Sequence, residues 1–322
     1  MSTAEKFLQM FLAVAIFVAL AAVILFLVGR LHGRHQDRIV AIAFIGPAVL
    51  GLAIGLVYPG VKTIQQSFYD AAGASFIGLD NYKTIFTSAD QLVVLRNTAL
   101  WVLLTPFIAT AIGLIYAVLV DRARVEALAK ALVFLPMAIS FVGASIIWKF
   151  VYEYRPDQEG VQQIGLLNQL IVWLGGKPQQ LIVNDPWNTI LLIVVMIWIQ
   201  AGFAMTVLSA SIKAIPDDII EAARLDGVSG LGMFRFVTVP SIRPALVVVL
   251  TTIGIGTLKV FDIVRTMTGG QFSTSVVANE FYTQSFRASN QGLGAALAVL
   301  LFVLVVPIVI YNIRQLRASE AR

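Results

Sequence analysis

Apolar residues gather into seven long blocks along the chain, approximately 8–29, 39–58, 97–120, 131–151, 188–210, 244–263 and 292–312. Each is about 20 residues long, the length of helix that crosses the hydrocarbon core of a bilayer. None shows the every-second-residue alternation of a transmembrane β-strand. The pattern therefore predicts an all-α polytopic membrane protein with about seven transmembrane helices.

The connections between blocks alternate in charge. One set holds Arg30, Arg34 and Arg38, then Arg122, Arg124 and Lys130, then Lys213, Arg224, Arg235 and Arg243, then Arg314, Arg317 and Arg322. The other set, including Lys62, Lys83, Arg96, Arg155 and Lys177, is sparser over longer stretches. Basic residues collect on the cytoplasmic side, so the first set is expected there, with the N-terminus outside and the C-terminus inside. The first block contains "VALAAV", which resembles a signal-peptidase site. Its apolar run continues to Val28 and its leading end, Met1 to Lys6, is not basic, so a retained span is expected.

Composition sharpens this reading. At 58 % hydrophobic and 13 % charged, with mean hydropathy +0.86, the chain lies far from a soluble domain, in which about a quarter of residues are charged. The net charge of +5 follows from the basic loops and implies no nucleic-acid partner, because no basic run is interleaved with aromatics. There is no cysteine, and the only histidines are His32 and His35. Disulfides, thiolate or histidine metal sites and Ser-His-Asp catalysis are thereby excluded or nearly so. No cluster of His, Asp, Glu or Ser–Lys groups lies within the blocks, which argues against a membrane enzyme. No inverted repeat of the secondary-transporter kind is visible.

Three polar connections carry their own pattern. In "FIGLDNYKTIF" (76–86), Gly78, Asp80 and Asn81 favour a turn. "GLLNQLIVWLGG" (165–176) predicts an amphipathic helix on the outer membrane surface, and "NDPW" (184–187) turns the chain back into the bilayer. The third, 211–243, predicts helix–turn–helix. Pro216 suits the first helical position, Asp217 and Asp218 complement the helix dipole, and Glu221 and Arg224 can pair. Ala222 and Ala223 give a surface without bulk, and Gly227 fits a left-handed helix end. Ser229 can cap a second helix carrying Met233, Phe234, Phe236 and Val237. A face of Ile219, Ile220, Ala223 and Phe234 beside acids suits a protein socket better than a membrane surface, which favours lysines and bulky apolar groups.

Within the blocks, Thr252, Gly256 and Lys259 share a helical face at i, i+4 and i+7, and "WIQAGF" brings Trp198, Gln200, Ala201 and Gly202 together. Ionisable groups inside spans are usually functional.

The run "IPDDIIEAARLDGVSGLGMFRFVTVPSIRPA" (215–245) closely resembles the EAA loop of permease subunits of bacterial ABC importers. "FIGLDNY" and "GLLN" narrow the resemblance to carbohydrate importers of the maltose and α-glucoside type. It covers nearly the whole chain beyond the first block. It implies a type I importer permease fold over 39–322, preceded by an extra helix and basic loop over 1–38, in the bacterial cytoplasmic membrane. The implied partners are a second homologous permease, two ABC ATPase subunits and an extracytoplasmic sugar-binding protein. No cofactor is expected in this chain, ATP and Mg being held by the ATPases. By resemblance the loop docks in the ATPase. Glu221 would pair with a basic group, Gly227 would form the turn, and Ala222, Ala223 and Asp226 would shape the docked surface, with Pro216 and Phe234 in the same loop. A gap-free match places the sugar path at Met137, Phe141, Trp198, Ala201, Gly202, Thr252, Gly256 and Lys259. Gly256 and Lys259 stand where relatives carry other polar groups, so the sugar itself is not carried over, and Lys259 would also fit an anionic cargo. Importers of glycerol-phosphate or another polyol share the same loop and form the alternative.

Overall fold

A computed structural model describes residues 3–29, 36–121, 124–158 and 160–320. Arg30, His32, Arg34, His35, Arg122 and Arg322 lie outside the described residues. Regular structure among the described residues is helical, apart from one isolated bridge between Tyr69 and Phe76. The chain divides into two compact units, Met1–Gln65 and Gln66–Arg322.

The first unit holds helix α1 (Thr3–Gly29) and nearly all of the apolar helix α2 (Val40–Gln66). The second contains α3 (Asp80–Thr87), α4 (Ala89–Val120), α5 (Glu126–Phe134), α6 (Phe141–Val151), α7 (Leu166–Trp173) and α8 (Trp187–Lys213). These are followed by α9 (Asp217–Leu225), α10 (Leu231–Ser241), α11 (Arg243–Leu258), α12 (Asp262–Met267), α13 (Val277–Tyr282) and α14 (Gln291–Glu320).

Among the described residues, four helices are long and apolar enough to cross a membrane, or six if each of two bent pairs counts as one span. Two of the expected blocks differ from a single straight span, one by a bend and one by an early helix end. Block 131–151 breaks where α5 runs into a 3-10 turn, Leu135–Ala138, and α6 sets off at 103° to it. Pro136 has no amide to continue the helical ladder. Ser140 then starts a new helix, its extended backbone letting Oγ accept from the Gly143 amide at 3.1 Å. Block 244–263 is shorter than its apolar run. The amides of Lys259 and Val260 fold back onto the carbonyls of Gly256 and Thr257, and helix resumes only at Asp262.

Helix α8 forms the axis of the second unit, and two of its neighbours press closely on it. Trp101, Thr105, Ala109, Gly113 and Ala117 recur every fourth residue on α4 and are all buried, a stripe that narrows to nothing at Gly113. A Cβ there would lie 2.5 Å from Ala204 Cβ and 2.6 Å from the Met205 nitrogen. On another side of α8, a Cβ at Gly202 would meet the Val133 carbonyl oxygen at 2.5 Å. Small residues let apolar helices approach until dispersion between backbones holds them, which matters most where lipid removes the hydrophobic drive. Beside α4, a Cβ at Gly254 of α11 would meet the Pro106 ring at 3.8 Å, an ordinary contact. A smaller apolar cluster, Ile85, Val94, Val277, Leu293, Ala296 and Leu297, joins α3, α4, α13 and α14.

Buried asparagines close the loops. Asn81 Nδ2 donates to the carbonyls of Ser67 and Tyr69, and Asn97 Nδ2 to those of Ser273 and Ser275. Asn168 donates to the Glu153 carbonyl at 2.7 Å and accepts from the Gln179 amide at 2.8 Å, while Asn188 donates to the Phe272 carbonyl at 2.7 Å. The 268–276 loop needs such anchors, since Phe272 and Ser273 stand at φ 55° and 59°, in a region that costs ~1 kcal/mol or more per residue with a side chain.

Replacing Gly113 by Leu should cost at least ~1–3 kcal/mol through overpacking, read as a loss of several degrees in the thermal midpoint of the detergent-solubilised chain. Gly256→Leu, where nothing lies within 4 Å of a Cβ, should leave that midpoint unchanged.

Candidate functional site

The 211–243 connection folds as helix, turn and helix. Pro216 takes the N-cap with φ −58° and ψ 137°, so α9 begins at Asp217, one residue later than the sequence suggests. The Asp218 carboxylate accepts from the Ile219 amide at 3.0 Å, binding one of the donors that a helix start leaves free. The far end is a Schellman turn. The Gly227 amide bonds the Arg224 carbonyl at 3.0 Å and the Val228 amide bonds the Ala223 carbonyl at 2.9 Å, with Gly227 at φ 79°. Gly230, at φ 52°, rather than Ser229, caps α10.

The two faces of α9 differ. Asp217, Ile220 and Arg224 line a cavity of about 560 Å³ together with Asp121, Lys213 and Met233. Arg224 lines this cavity while remaining exposed, and the expected Glu221–Arg224 pair does not form. On the other face Glu221, Ala222, Asp226 and Gly227 are exposed, and Leu225 is 89 % exposed. Ala223 and Phe234, expected on the docked surface, are half-buried. The apolar groups left open are instead Leu225, Leu231 at 80 % and Phe236 at 68 %. The helical wheel of α9 alone flags Leu225, one turn beyond Glu221. Leu231 gives no such signal, because its exposure is set by the turn before it.

The expected path residues fall into three environments. On α11 Thr252 and Lys259 are exposed and Gly256 is half-exposed, whereas Val249, Ile253 and Thr257 on the opposite face are buried. The i, i+4, i+7 spacing puts Thr252 and Gly256 on one side of α11 with Lys259 at its C-cap. Met137 and Phe141 are exposed on either side of the α5–α6 bend. On α8 only Trp198 is partly accessible. Ala201 is buried, and Gly202 is packed against the backbone of Val133 and Phe134. Trp198 meets Trp148 edge to face at 5.7 Å, and Trp148 packs on Tyr152 at 5.2 Å. Trp148 escaped the sequence reading, although its i, i+4 spacing to Tyr152 marks an aromatic face. The Tyr152 hydroxyl donates to the Leu191 carbonyl at 3.1 Å, tying α6 to α8. Among the described residues no group of three or more His, Cys, Asp or Glu side chains is arranged to hold a metal.

Comparison with known proteins gives a consistent set of likenesses. Residues 109–317 match the family model described as binding-protein-dependent transport system inner membrane component. An osmoprotective compounds uptake permease protein of Synechocystis sp. is 48 % identical over 277 residues, covering 86 % of this chain and 99 % of the relative. An alpha-glucoside transport system permease protein of Rhizobium meliloti is 47 % identical over 273 residues, covering 84 % and 81 %. The fold matches a chain of a bacterial ABC transporter involved in import of the acidic polysaccharide alginate, with TM-score 0.74 and 21 % identity over 88 % of this chain and 97 % of that one.

Gly227→Val places a branched side chain at φ 79°, at a cost of ~1–2 kcal/mol. Amide exchange at Val228 should accelerate by about tenfold per 1.4 kcal/mol, while exchange in α4 stays unchanged.

Proposed function

The chain belongs to the family of binding-protein-dependent transport system inner membrane components, and on that premise we propose that it is the permease subunit of an ATP-driven importer of α-glucoside-like oligosaccharides such as maltose or trehalose. Members are multi-pass membrane permeases and not themselves catalytic. The cargo class is supported by the 47 % identity to an alpha-glucoside permease, which favours glucosides over the glycerol-phosphate or polyol alternative.

One observation carries the mechanism. Glu221, Ala222 and Leu225 on α9 and Leu231 and Phe236 on α10 are exposed acidic and apolar groups, and the turn that ends α9 is fixed by backbone hydrogen bonds. Apolar side chains this exposed on an otherwise polar loop need a partner. In this reading α9 seats in a cleft of a cytoplasmic ATPase and Glu221 meets a basic group there. The complete importer comprises this chain, a second related permease, two ATPases that bind ATP and Mg, and an extracytoplasmic sugar-binding protein. The 211–243 connection and the C-terminus lie in the cytoplasm, and the N-terminus lies outside. Closure of the ATPases on ATP shifts α9, and the bundle alternates its opening between the two sides.

Sugars present hydroxyl groups and apolar CH faces, so a path for them needs both polar groups and flat apolar surfaces. The exposed Thr252 and Lys259 with Gly256 between them, the exposed Met137 and Phe141, and the partly accessible Trp198 offer these.

Two substitutions test the reading in membranes of cells carrying the whole importer. Glu221→Lys should abolish uptake and release the ATPase on purification; normal uptake would count decisively against the role of α9. Lys259→Ala should leave the assembly intact and change the uptake KM or rate, and unchanged kinetics would remove Lys259 from the path.

A further inference from the structure

Four charged side chains converge where α4, α5 and α8 meet, at the end of the bundle nearest α9. Lys213, the last residue of α8, donates from Nζ to Glu126 Oε1 and lies 3.8 Å from Asp121 Oδ1. Glu126, the first residue of α5, also accepts from Lys130 Nζ at 2.6 Å. Lys130 in turn donates to Ser209 Oγ, one turn before Lys213 on α8. Among the described residues the cluster brings together two acids and two lysines. The side chains of Asp121, Glu126 and Lys130 are only 19–22 % exposed, so solvent screens these contacts less than it would an ordinary surface pair.

Its position matters more than its strength. Three residues separate Lys213 from Asp217, and that link is itself hydrogen-bonded to α8, with the Ala214 amide on the Ala210 carbonyl and the Ile215 amide on the Ile212 carbonyl. Displacement of α9 therefore reaches Lys213 first. Asp121 and Lys213 also line the cavity lined by Asp217 and Arg224 of α9. On the other side of the cluster, Glu126 opens the bent pair α5–α6. That pair carries Met137 and Phe141 at its bend, and its Val133 carbonyl presses on Gly202 of α8.

From this geometry we infer that Glu126 and Lys213 are positioning residues of the coupling step. They fasten the start of α5 to the end of α8, so that movement of α9 is delivered to the α5–α6 segment as a rigid shift. Without them the movement is spent in bending residues 214–216. The inference rests on the reading of α9 as the ATPase-docking helix. Packing at Gly202 already holds the middle of α5–α6 against α8. The charge cluster therefore serves to set how α5 starts, rather than whether it folds.

The test uses the complete importer in membranes, measuring sugar taken up per ATP hydrolysed. Lys213→Met and Glu126→Gln should retain the ATPase on purification and hydrolyse ATP near the wild-type rate. Uptake per ATP should fall on the order of fivefold, and Lys213→Arg should restore it. The chain has no cysteine, so a paired Glu126→Cys and Lys213→Cys variant can be bridged by a short reductant-cleavable bis-thiosulfonate reagent. Bridging should raise uptake per ATP above that of the unbridged variant. Wild-type uptake per ATP in Lys213→Met would overturn the inference, as would loss of the ATPase from that variant, which marks a purely structural role. Uptake blocked by the bridge and recovered by reductant would also overturn it, because the two helix ends would then have to separate. A wild-type chain that purifies without any ATPase would overturn the importer reading itself, and this inference with it.

Discussion

The closeness of α4 and α8 at Gly113 is the constraint on which the second unit depends. With no room for a Cβ between the helices, the α4 stripe and the buried face of α8 are locked in register. Both ends of α8 are placed as a consequence. Asn188 is set beneath the 268–276 loop at one end, and Ser209 and Lys213 beside α5 at the other. Gly202 repeats the device against Val133, so α8 is gripped on two sides and can transmit displacement along its length. Transport by a rigid axis needs such packing, because a helix in lipid gains little from apolar burial alone.

Irregular backbone in so apolar a chain has to find its hydrogen bonds internally. Four asparagines supply them, and two lie inside the motifs that carry the family likeness. Asn81 of "FIGLDNY" holds the carbonyls of Ser67 and Tyr69, and Asn168 of "GLLN" holds the chain at Glu153 and Gln179. The most diagnostic parts of the sequence outside 215–245 are therefore loop closures. They say how the chain turns, and they say little about what it carries.

Helical class, the apolar blocks and the turn at Gly227 could be read from the sequence because each follows from local pattern or a single φ requirement. The bends could not. Pro136 and Ser140 together reverse the chain by 103°, yet hydropathy over 131–151 is continuous. The 211–243 connection was legible in outline, from Asp217 to Gly227, but not in its facing. Arg224 turns to the cavity and Leu225 to the outside because the link from α8 sets the rotation of α9. Sequence alone also grouped Trp198, Ala201 and Gly202 as one surface. Tertiary packing separates them, since a glycine that opens space and a glycine that admits a neighbouring backbone are identical in one dimension. In the Asp121–Glu126–Lys130–Lys213 cluster the Glu126–Lys130 pair has the i, i+4 spacing of a local helix pair, but its junction with Lys213, 87 positions away, left no local trace.

The asparagine anchors grip main-chain oxygens and ignore the side chains attached to them. At residues 272–275 the loop's path is written by Asn97 and Asn188, which lie on other helices. Mutation can therefore exchange the exposed side chains of Phe272 and Ser273 without removing these bonds, whereas Thr274 and Ser275 are buried and hydrogen-bonded through their hydroxyls. Form and chemical character are inherited separately at those two positions, and a lineage can revise the exposed groups while keeping the frame that presents them.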